Sequence, residues 1–495
     1  MLTNQTVPIT TDTALAKHSV DGWQLPASGT LYQLNSTAIL RRQAERESEV
    51  RSYPRRIPMA IKKASGALVM DEQRQVYLDC LACAGALPLG HNHPDINQAL
   101  VEAVTSLQPF QTLDIATPAK DNFVTELLTT LPTDFSQNAK IQFCGPSGAD
   151  AVEAAIKLAK TVTGRRSVIA FQGGYHGMTN GALSLTGNLG AKNAVGGLMA
   201  DVHFLPYPYP FRSPFGQRYS DNSNESLHYL SNQLLDPEGG ITKPAAIIVE
   251  AIQGEGGVIP APVKWLQGLR KLCSELDILL ILDEIQSGFG RSGKMFAFEH
   301  AAIQPDIVLM SKAIGGGLPL SVIAFNKRFD AWSPGGHAGT FRGNQLAMVS
   351  GCKTLQLIKQ HHLAKRAEVL GEQLMDQLKV LSLSHPQVGE VRGKGLMIGI
   401  ELIASNGQKD NLGNPTADTH YAQAVQQEAL KRGLICELGG RHGCVVRLLP
   451  PLTITEEHID FIVRVLDEAL FAATISDTKI IVANGTKKED QHVHT

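Results

Sequence analysis

The sequence predicts an α/β fold in which a mostly parallel central sheet lies between helices. Apolar segments without polar alternation predict the buried strands: KIQFC (140–144), SVIAF (167–171), AAIIVEAI (245–252), ILLILDEI (278–285) and DIVLMSK (306–312). Such runs are typical of parallel strands that helices cover on both faces. Between the first two strands, Val152, Ala155, Ile156 and Ala159 have the spacing of one helix face, and residues 263–277 predict another helix.

Outside this central block, the pattern predicts a second, smaller α+β domain built from both ends of the chain. Its elements are a hairpin at 66–79, strands at 397–402 and 444–449, and helices at about 345–383 and 416–432. The expected division is residues 1–90 as an N-terminal segment and part of the small domain, 91–345 as the large α/β domain, 346–475 as the C-terminal small domain and 476–495 as a polar tail.

Composition and charge favour an enzyme acting on small molecules over a protein that binds nucleic acid or membranes. The chain has 45 Lys and Arg against 47 Asp and Glu, which leaves no general basic field. No apolar run approaches the roughly 20 residues of a membrane-spanning helix. The amino terminus lacks the basic and apolar regions of a secretory signal, and the seven cysteines are few enough to be free thiols. We therefore expect a cytoplasmic protein.

Some motifs resemble ligand sites but are weak. Cys80 begins a C-x-x-C and His91 begins HNHP, yet neither has further ligands nearby, so we predict no metal site. GFGRSGKM (288–295) has the glycine and lysine spacing of a phosphate-binding nucleotide loop. Met295 stands where that loop needs Ser or Thr, so a nucleotide-binding protein is a remote alternative.

Asp283 and Lys312 are charged residues at the ends of two predicted buried strands. A buried charge is costly without a partner, and the carboxyl ends of parallel strands are where open sheets place their ligands. The two could form a structural ion pair, but a cofactor with a ring nitrogen and an aldehyde explains both better. Ser147, Gly148 and Ala149 begin a predicted helix and would either cap it or bind a phosphate. Pyridoxal phosphate has all three groups.

Seven motifs, in order, resemble those of the class III aminotransferases of the ornithine/4-aminobutyrate type. They are SGADAVEAAIKLA, GGYHGMT, IIVEAIQGEGG, LILDEIQSGFGRSG, SKAIGGGLPL, GGHAGTFRGN and VVRLLPPLT. The resemblance covers roughly residues 45–470. It implies a transferase of fold type I that depends on pyridoxal 5'-phosphate. It also implies a homodimer with shared active sites, or a higher oligomer built from it.

The resemblance implies a role for each matching residue around the cofactor ring. Lys312 would form the Schiff base with the cofactor aldehyde, and Asp283 would pair with the ring nitrogen, so these two are the expected catalytic residues. Tyr175 would lie over the ring face, and Gln286 would reach the phenolic oxygen.

The phosphate would be held at the start of the helix that follows FCGP. Gly148 and Ala149 would donate backbone hydrogen bonds beside Ser147, and Thr340 of the neighbouring subunit would complete the site. The family usually has a serine at the position of Ala149, so one side-chain contact to the phosphate is expected to be absent.

Substrate recognition is also implied by the resemblance. Arg447 would grip the carboxylate of 2-oxoglutarate, Glu255 would neutralise that arginine when no carboxylate is bound, and Glu250 would be a second acidic contact. The family often has an arginine at the position of Met178 to hold the distal carboxylate, so this role must fall to another residue.

Three further stretches resemble the diaminobutyrate:2-oxoglutarate branch of the family: ESEVRSYPRRIPMA, DCLACAGALPLGHNHP and LPYPYPFRSPFG. This resemblance implies transfer of the 4-amino group of L-2,4-diaminobutyrate to 2-oxoglutarate, giving L-aspartate 4-semialdehyde and L-glutamate with ping-pong kinetics. Another ω-amine, such as ornithine, 4-aminobutyrate or lysine, is the alternative donor.

Overall fold

A computed structural model describes the backbone of residues 22–216 and 222–489 and the side chains of residues 22–216 and 224–475. The amino terminus, where no secretory signal is expected, and residues 490–495 of the expected polar tail lie outside this part. The strands are β1 (Ile61–Ser65), β2 (Leu68–Asp71), β3 (Val76–Asp79), β4 (Ala139–Phe143), β5 (Val168–Phe171), β6 (Val202–Leu205), β7 (Ala246–Val249), β8 (Ile252–Gln253), β9 (Ile259–Pro260), β10 (Leu279–Asp283), β11 (Ile307–Met310), β12 (Val322–Asn326), β13 (Val388–Lys394), β14 (Met397–Leu402), β15 (Leu434–Ile435), β16 (Glu437–Gly439) and β17 (Val445–Leu448).

The helices flank these strands and include every helix that the sequence predicts. They are α1 (Ala38–Arg46), α2 (Tyr53–Arg56), α3 (Ala82–Gly85), α4 (Pro94–Thr105), α5 (Pro118–Leu128), α6 (Thr133–Ser136), α7 (Gly148–Thr163), α8 (Asn180–Leu185), α9 (Leu189–Lys192), α10 (Asn222–Leu235), α11 (Val263–Glu275), α12 (Gln345–Gln360), α13 (Leu363–Ser382), α14 (Thr419–Lys431) and α15 (Glu456–Glu489). Helix α15 thus continues into the segment expected to be a polar tail. Within the described residues, we find no helix with the length and apolar character needed to cross a membrane.

The central sheet has seven strands in the order β4-β12-β11-β10-β7-β5-β6. Neighbouring strands from β11 to β6 run parallel, whereas β12 runs antiparallel to both β11 and β4. Strands β5, β7, β10 and β11 are buried along their whole length, which is why they lack polar alternation. The predicted α/β fold with a mostly parallel central sheet is confirmed.

Two features of this sheet differ from the sequence prediction. Strand β12 is not among the predicted strands, although SVIAF at 321–325 repeats the SVIAF of the predicted β5 at 167–171, so the same local pattern could have predicted it. The segment 245–252, predicted as one strand, is divided between β7 and β8. The chain turns at Glu250, whose carboxylate accepts hydrogen bonds from the backbone N–H groups of Tyr175 and Gly254, both at 2.9 Å.

Two four-stranded sheets and a two-stranded one, β8 with β9, accompany the central sheet. Strands β13, β14, β17 and β16 form an antiparallel sheet, in which Glu437 of β16 lies directly opposite Arg447 of β17. Strands β1, β2, β3 and β15 form the other sheet, and the hairpin predicted at 66–79 is β2 and β3. The sheet of β1, β2, β3 and β15 draws on both ends of the chain, whereas the antiparallel sheet comes from residues 388–448 alone.

Helix α12 packs closely against the turn that carries Lys312. Gly351 of this helix faces the carbonyl oxygen of Ile314, and a Cβ atom at Gly351 would clash with that backbone atom. Gly268 of α11 is a useful comparison, because its closest neighbour is the end of the flexible Leu227 side chain. The glycine at 351 therefore lets the helix and the turn approach each other.

We expect Gly351→Ala to lower the free energy of unfolding by about 1–3 kcal/mol, because overpacking against backbone outweighs the helix propensity that alanine adds. Gly268→Ala makes the same change of propensity against a movable side chain and should stay close to wild type. Urea unfolding of the three proteins measures the difference. Equal stability of the two variants would contradict the close packing of helix and turn.

Candidate active site

The carboxyl ends of neighbouring parallel strands meet at one cavity of about 500 Å³, which we call the sheet-edge cavity. Strands β5, β7, β10 and β11 lead into the segments that line it, in keeping with the rule for open α/β sheets. The sequence-predicted residues that line it are Ser147, Gly148, Ala149, Tyr175, Glu250, Glu255, Asp283, Gln286 and Lys312. Asp283 and Lys312 thus face one space.

Asp283 ends β10 and is buried beside His176. Its Oδ2 lies 2.7 Å from Nδ1 of His176, and its Oδ1 accepts a hydrogen bond of 3.1 Å from the N–H of Ile285. Burial alone would lower the pKa of His176, but the hydrogen bond to Asp283 and the negative charges of Asp283 and Glu250 outweigh it and raise that pKa. The buried carboxylate is therefore paired with an imidazole that readily carries a proton.

Lys312 follows β11 in a strained turn. Its φ of 46° is left-handed, and it begins a short 3-10 turn, Lys312–Gly315, that continues in a glycine-rich loop. The hydroxyl of the preceding Ser311 donates to the carbonyl of Leu320 at 2.9 Å and closes the loop. Non-glycine residues in this conformation cost free energy and are frequent at functional sites.

The start of helix α7 forms the opposite end of the cavity. Asp150 caps the helix, since its Oδ2 accepts from both the N–H and the hydroxyl of Ser147, at 2.9 and 2.7 Å. The ordinary helix cap considered from the sequence is therefore present. Gly148 and Ala149 are in the first turn, where N–H groups have no partner inside the helix and the helix dipole favours an anion.

Gln286 and Tyr175 lie between these two ends. The Nε2 of Gln286 donates to the carbonyl of Ala84 at 3.2 Å, while its Oε1 is buried and has no hydrogen-bond partner within the described residues. Burial raises the pKa of Tyr175, and the charges of Glu255 and Glu250 raise it further, so the phenol keeps its proton. Burial likewise raises the pKa of Glu250.

Arg447 is fully buried behind the cavity and contacts two carboxylates. Its Nη2 donates to Oε1 of Glu255 at 2.8 Å and lies 2.8 Å from Oε2 of Glu437. Burial alone would raise the pKa of Glu255, but the positive charges of Arg447 and Lys312 outweigh it and lower that pKa. One third of the Glu255 side chain is exposed (33%) against 6% of Glu437, so Glu255 is the partner with room to move.

A larger space of about 1180 Å³, the outer cavity, opens beside the sheet-edge cavity. The two share Tyr175, Met178, Glu255 and Lys312 in their walls. The methionine is 52% exposed and offers no charge to a distal carboxylate. The arginines that line the outer cavity are Arg55, Arg56 and Arg441.

Two of the predicted residues, Arg447 and Thr340, line neither cavity. Sequence reasoning also missed His176, Tyr53 and Glu437. His176 stands inside the GGYHG motif and could have been found there. Tyr53 and Glu437 are joined by a hydrogen bond of 2.8 Å across 384 positions of sequence, which no local pattern reveals.

The loop GFGRSGKM lacks the structure of a nucleotide site. A phosphate-binding loop leads into an α-helix, whose N-terminus holds the phosphate. Here the next element is a 3-10 helix of five residues, Ala297–Ala301. Arg291 of the loop is buried and donates to the carbonyl oxygens of Leu396 and Pro450, so the loop is packed into the protein.

The sheet order and the cavity at its carboxyl edge define the class of protein first: a transferase of fold type I. Solved structures with this architecture include an amine transaminase from an uncultivated Pseudomonas species in its PLP-bound form, with 28% identity and a TM-score of 0.76 over 91% of this chain and 100% of that one. An aminotransferase from Bacillus anthracis is 26% identical, with a TM-score of 0.77 over 88% and 98% of the two chains.

The chain belongs to the class III aminotransferases. The family model described as "Aminotransferase class-III" matches residues 51–470. A diaminobutyrate–2-oxoglutarate aminotransferase of Rhizobium meliloti (strain 1021) is 53% identical over 85% of this chain and 90% of its own length. One from Haemophilus influenzae is 52% identical over 86% and 93%. The family resemblance found in the sequence is therefore confirmed.

Glu284, next to Asp283, holds the segments that follow β10 by hydrogen bonds. It is fully buried and accepts hydrogen bonds from the hydroxyl of Ser287 (2.8 Å) and the N–H groups of Ala297 (3.0 Å) and Phe298 (2.9 Å). Burial raises its pKa from 4.5 to about 7, although the three hydrogen bonds oppose this shift. The folded-state pKa of Glu284 lies above its unfolded-state pKa. The contribution of Glu284 to the free energy of unfolding is therefore fully present below about pH 4.5 and is lost as the pH rises through about 7.

We expect Glu284→Gln to remove this titration from the folded state. The difference in unfolding free energy, wild type minus variant, should fall with rising pH by up to ~1.4 kcal/mol per unit between the two pKa values. Urea unfolding at several pH values measures it. A constant difference across that range would show that Glu284 does not titrate in this way, whatever fixed amount the lost hydrogen bond costs.

Proposed function

We propose that this chain uses pyridoxal 5'-phosphate to transfer the 4-amino group of L-2,4-diaminobutyrate to 2-oxoglutarate, giving L-aspartate 4-semialdehyde and L-glutamate. The observation that carries the proposal is that Lys312 and the buried Asp283 line one cavity at the carboxyl edge of the sheet. The donor is taken from the names of relatives that are 52–53% identical over most of the chain.

The residues present fit the cofactor. The Oε1 atom of Gln286 has no hydrogen-bond partner within the described residues. The oxygen and nitrogen of this amide can be placed in two orientations, and in either one the amide could face the phenolic oxygen of the cofactor. The first turn of α7 offers N–H groups to a phosphate, and a Cβ atom at Gly148 would lie 3.0 Å from the Ile285 side chain, which would have to shift to admit it. When bound, pyridoxal phosphate supplies an aldehyde that takes the amino group and a ring that accepts electron density.

The chain's own groups then hold and move protons. Asp283 would hold a proton at the ring nitrogen, and its hydrogen bond to His176 fixes its orientation. The amine of Lys312 would take a proton from the reacting carbon of the donor and return it. The phenol of Tyr175 stays protonated beside the glutamates and would cover one face of the ring. Ping-pong kinetics follow, since both substrates use one cavity in turn.

Arg447 would distinguish the two half-reactions. A planar guanidinium binds a carboxylate in a two-pronged hydrogen-bonded pair, which suits the carboxylate next to the reacting carbon of 2-oxoglutarate. The reacting carbon of diaminobutyrate is a CH₂ group and carries no carboxylate. The hydrogen bond between Glu255 and Arg447 supports the view that Glu255 neutralises the guanidinium during the donor half-reaction and leaves it during the acceptor one.

We also propose a homodimer in which Thr340 completes the phosphate site of the neighbouring subunit. Thr340 lies outside its own cavity, and apolar side chains nearby are exposed: Phe110 (55%), Leu113 (48%), Ile115 (66%) and Phe341 (61%). The N–H of Thr112 donates to the carbonyl of Gly343 at 3.3 Å, so both segments belong to one surface. Exposed apolar patches of this kind favour a protein interface.

A cytoplasmic location is part of the same proposal. The cysteines of the chain, Cys80, Cys83, Cys144, Cys273, Cys352, Cys436 and Cys444, are all free thiols. Free thiols suit a reducing compartment, where the sulfurs stay unpaired.

Lys312→Ala should lower transamination by at least about 10³-fold, because it removes the amine that binds the aldehyde and moves the proton. In the wild type, borohydride should bleach the yellow colour and mark the peptide that carries Lys312. Lys294→Ala, which removes the exposed lysine of GFGRSGKM, is the matched control and should keep wild-type rates. Activity that persists in the first variant and is lost in the second would overturn the proposal.

Glu255→Ala should shift donor preference towards amino acids that carry a carboxylate on the reacting carbon, because Arg447 loses its competing partner. We expect the kcat/KM ratio of glutamate to diaminobutyrate in the donor half-reaction to rise roughly tenfold. Glu390→Ala, which removes an arginine-paired carboxylate outside both cavities, is the control. An unchanged ratio in Glu255→Ala would remove Glu255 from this role.

A further inference from the structure

Glu437 has a carboxylate oxygen that forms an ion pair with Arg447 but accepts no hydrogen bond within the described residues. Its Oε1 accepts a hydrogen bond of 2.8 Å from the hydroxyl of Tyr53. Its Oε2 lies 2.8 Å from Nη2 of Arg447, but this contact lacks hydrogen-bond geometry, and the oxygen is buried with no hydrogen-bond partner among the described residues. Leaving a buried charged acceptor unmet is costly, so the site is built for a further donor.

This oxygen belongs to a residue in the wall of the outer cavity, beside the place where the substrate reacts. Glu437 and Tyr53 line the outer cavity, which Lys312 and Glu255 also line. Lys312 and Glu255 line both cavities. The outer cavity therefore offers space for the unreacted end of a substrate.

The charge of this group calls for a cation. Glu255 and Glu437 both contact one guanidinium, that of Arg447, while the positive charges of Lys312 and Arg56 act on Glu255 and Glu437 from further away. Burial raises the pKa of Glu437, and the charge of Arg447 offsets this only in part, so a second positive partner would stabilise the carboxylate. An ammonium group donates hydrogen bonds and brings that charge.

We propose that Glu437 binds the α-ammonium group of the donor and selects diamino acids over simple ω-amino acids. This inference rests on the proposed function, since it assigns a residue to the unreacted end of that substrate. Among the groups of diaminobutyrate, the α-ammonium is the cation left after the 4-amino group enters the reaction. Tyr53 holds the other oxygen of Glu437 and keeps the carboxylate in place in the wall of the outer cavity.

Two substrates isolate this contact. 4-Aminobutyrate is 2,4-diaminobutyrate without the α-amino group, and neither has a carboxylate on the reacting carbon. If a substitution at Glu437 displaces the Arg447 side chain, the rates with both donors should therefore fall alike. Loss of the ammonium contact should lower the rate with diaminobutyrate alone. Glu437→Gln keeps the shape and the acceptor for Tyr53, and it removes the charge.

The test measures single-turnover kcat/KM of the donor half-reaction for both donors in the purified holoenzyme. For Glu437→Gln, we expect the preference for diaminobutyrate over 4-aminobutyrate to fall roughly 10- to 100-fold, the amount that a hydrogen bond to a charged group contributes. Glu437→Asp keeps the charge but withdraws it by one methylene, so its preference should lie between those of Glu437→Gln and the wild type. Glu390→Gln is the control and should leave the ratio unchanged, because Glu390 pairs with Arg392 outside the cavities.

Each outcome decides the inference. A ratio that is unchanged in Glu437→Gln, or a fall that is equal for both donors, would overturn it and leave the proposed function standing. A wild type that transaminates 4-aminobutyrate but not diaminobutyrate would overturn both. If Glu437→Gln does not fold or bind cofactor, the same ratio in Glu437→Asp decides: a value equal to wild type for a carboxylate withdrawn by one methylene would count against the contact.

Discussion

The site depends on one buried hydrogen bond, between the carboxylate of Asp283 and the imidazole of His176. A carboxylate at the end of a fully buried strand would be costly if it were alone. The imidazole supplies a partner that readily takes a proton, and the backbone of Ile285 supplies a second donor. Because the pair is fixed by the ends of β5 and β10, the carboxylate has one orientation and points into the cavity.

The two kinds of sheet divide the work of the site. The parallel sheet supplies rigid strand ends, and the groups proposed to hold the cofactor follow them directly. The antiparallel sheet of β13, β14, β17 and β16 supplies Arg447 and Glu437, which face each other across neighbouring strands. Two of the residues proposed to select the substrate, Arg447 and Glu437, thus lie on a separate element from those proposed to hold the cofactor. Changes in β16 could alter the preferred donor without disturbing the ends of β10 and β11.

Much of the fold and part of the site follow from local sequence. Continuous apolar runs reveal strands that helices cover on both faces, and a charged residue at the end of such a run, like Asp283, points to the ligand edge. Strand β12 was missed although its local sequence, SVIAF, is the same as that of the predicted β5. The break after Val249 was missed because its cause is tertiary: a carboxylate pulled towards the N–H groups of Tyr175 and Gly254.

Glu437 could not be predicted as a site residue from the sequence, for a different reason. Its neighbours in sequence, Cys436 and Leu438, are apolar or small, and nothing local separates it from an ordinary strand residue. Its role depends on Arg447 in the next strand and on Tyr53 near the start of the described chain. Pairings over such distances come from the three-dimensional fold alone.

The double clamp at Glu250 has a consequence for speed. One carboxylate fastens the backbone before Tyr175 to the backbone before Glu255, so these two loops form a single stiff unit. In the proposed exchange of Glu255 for an incoming carboxylate, the main chain would stay still while the side chain rotates. Rotamer changes are faster than loop rearrangements. The change from the amino donor to the 2-oxo acid would then need no movement of these two loops, and diffusion and chemistry would limit its rate.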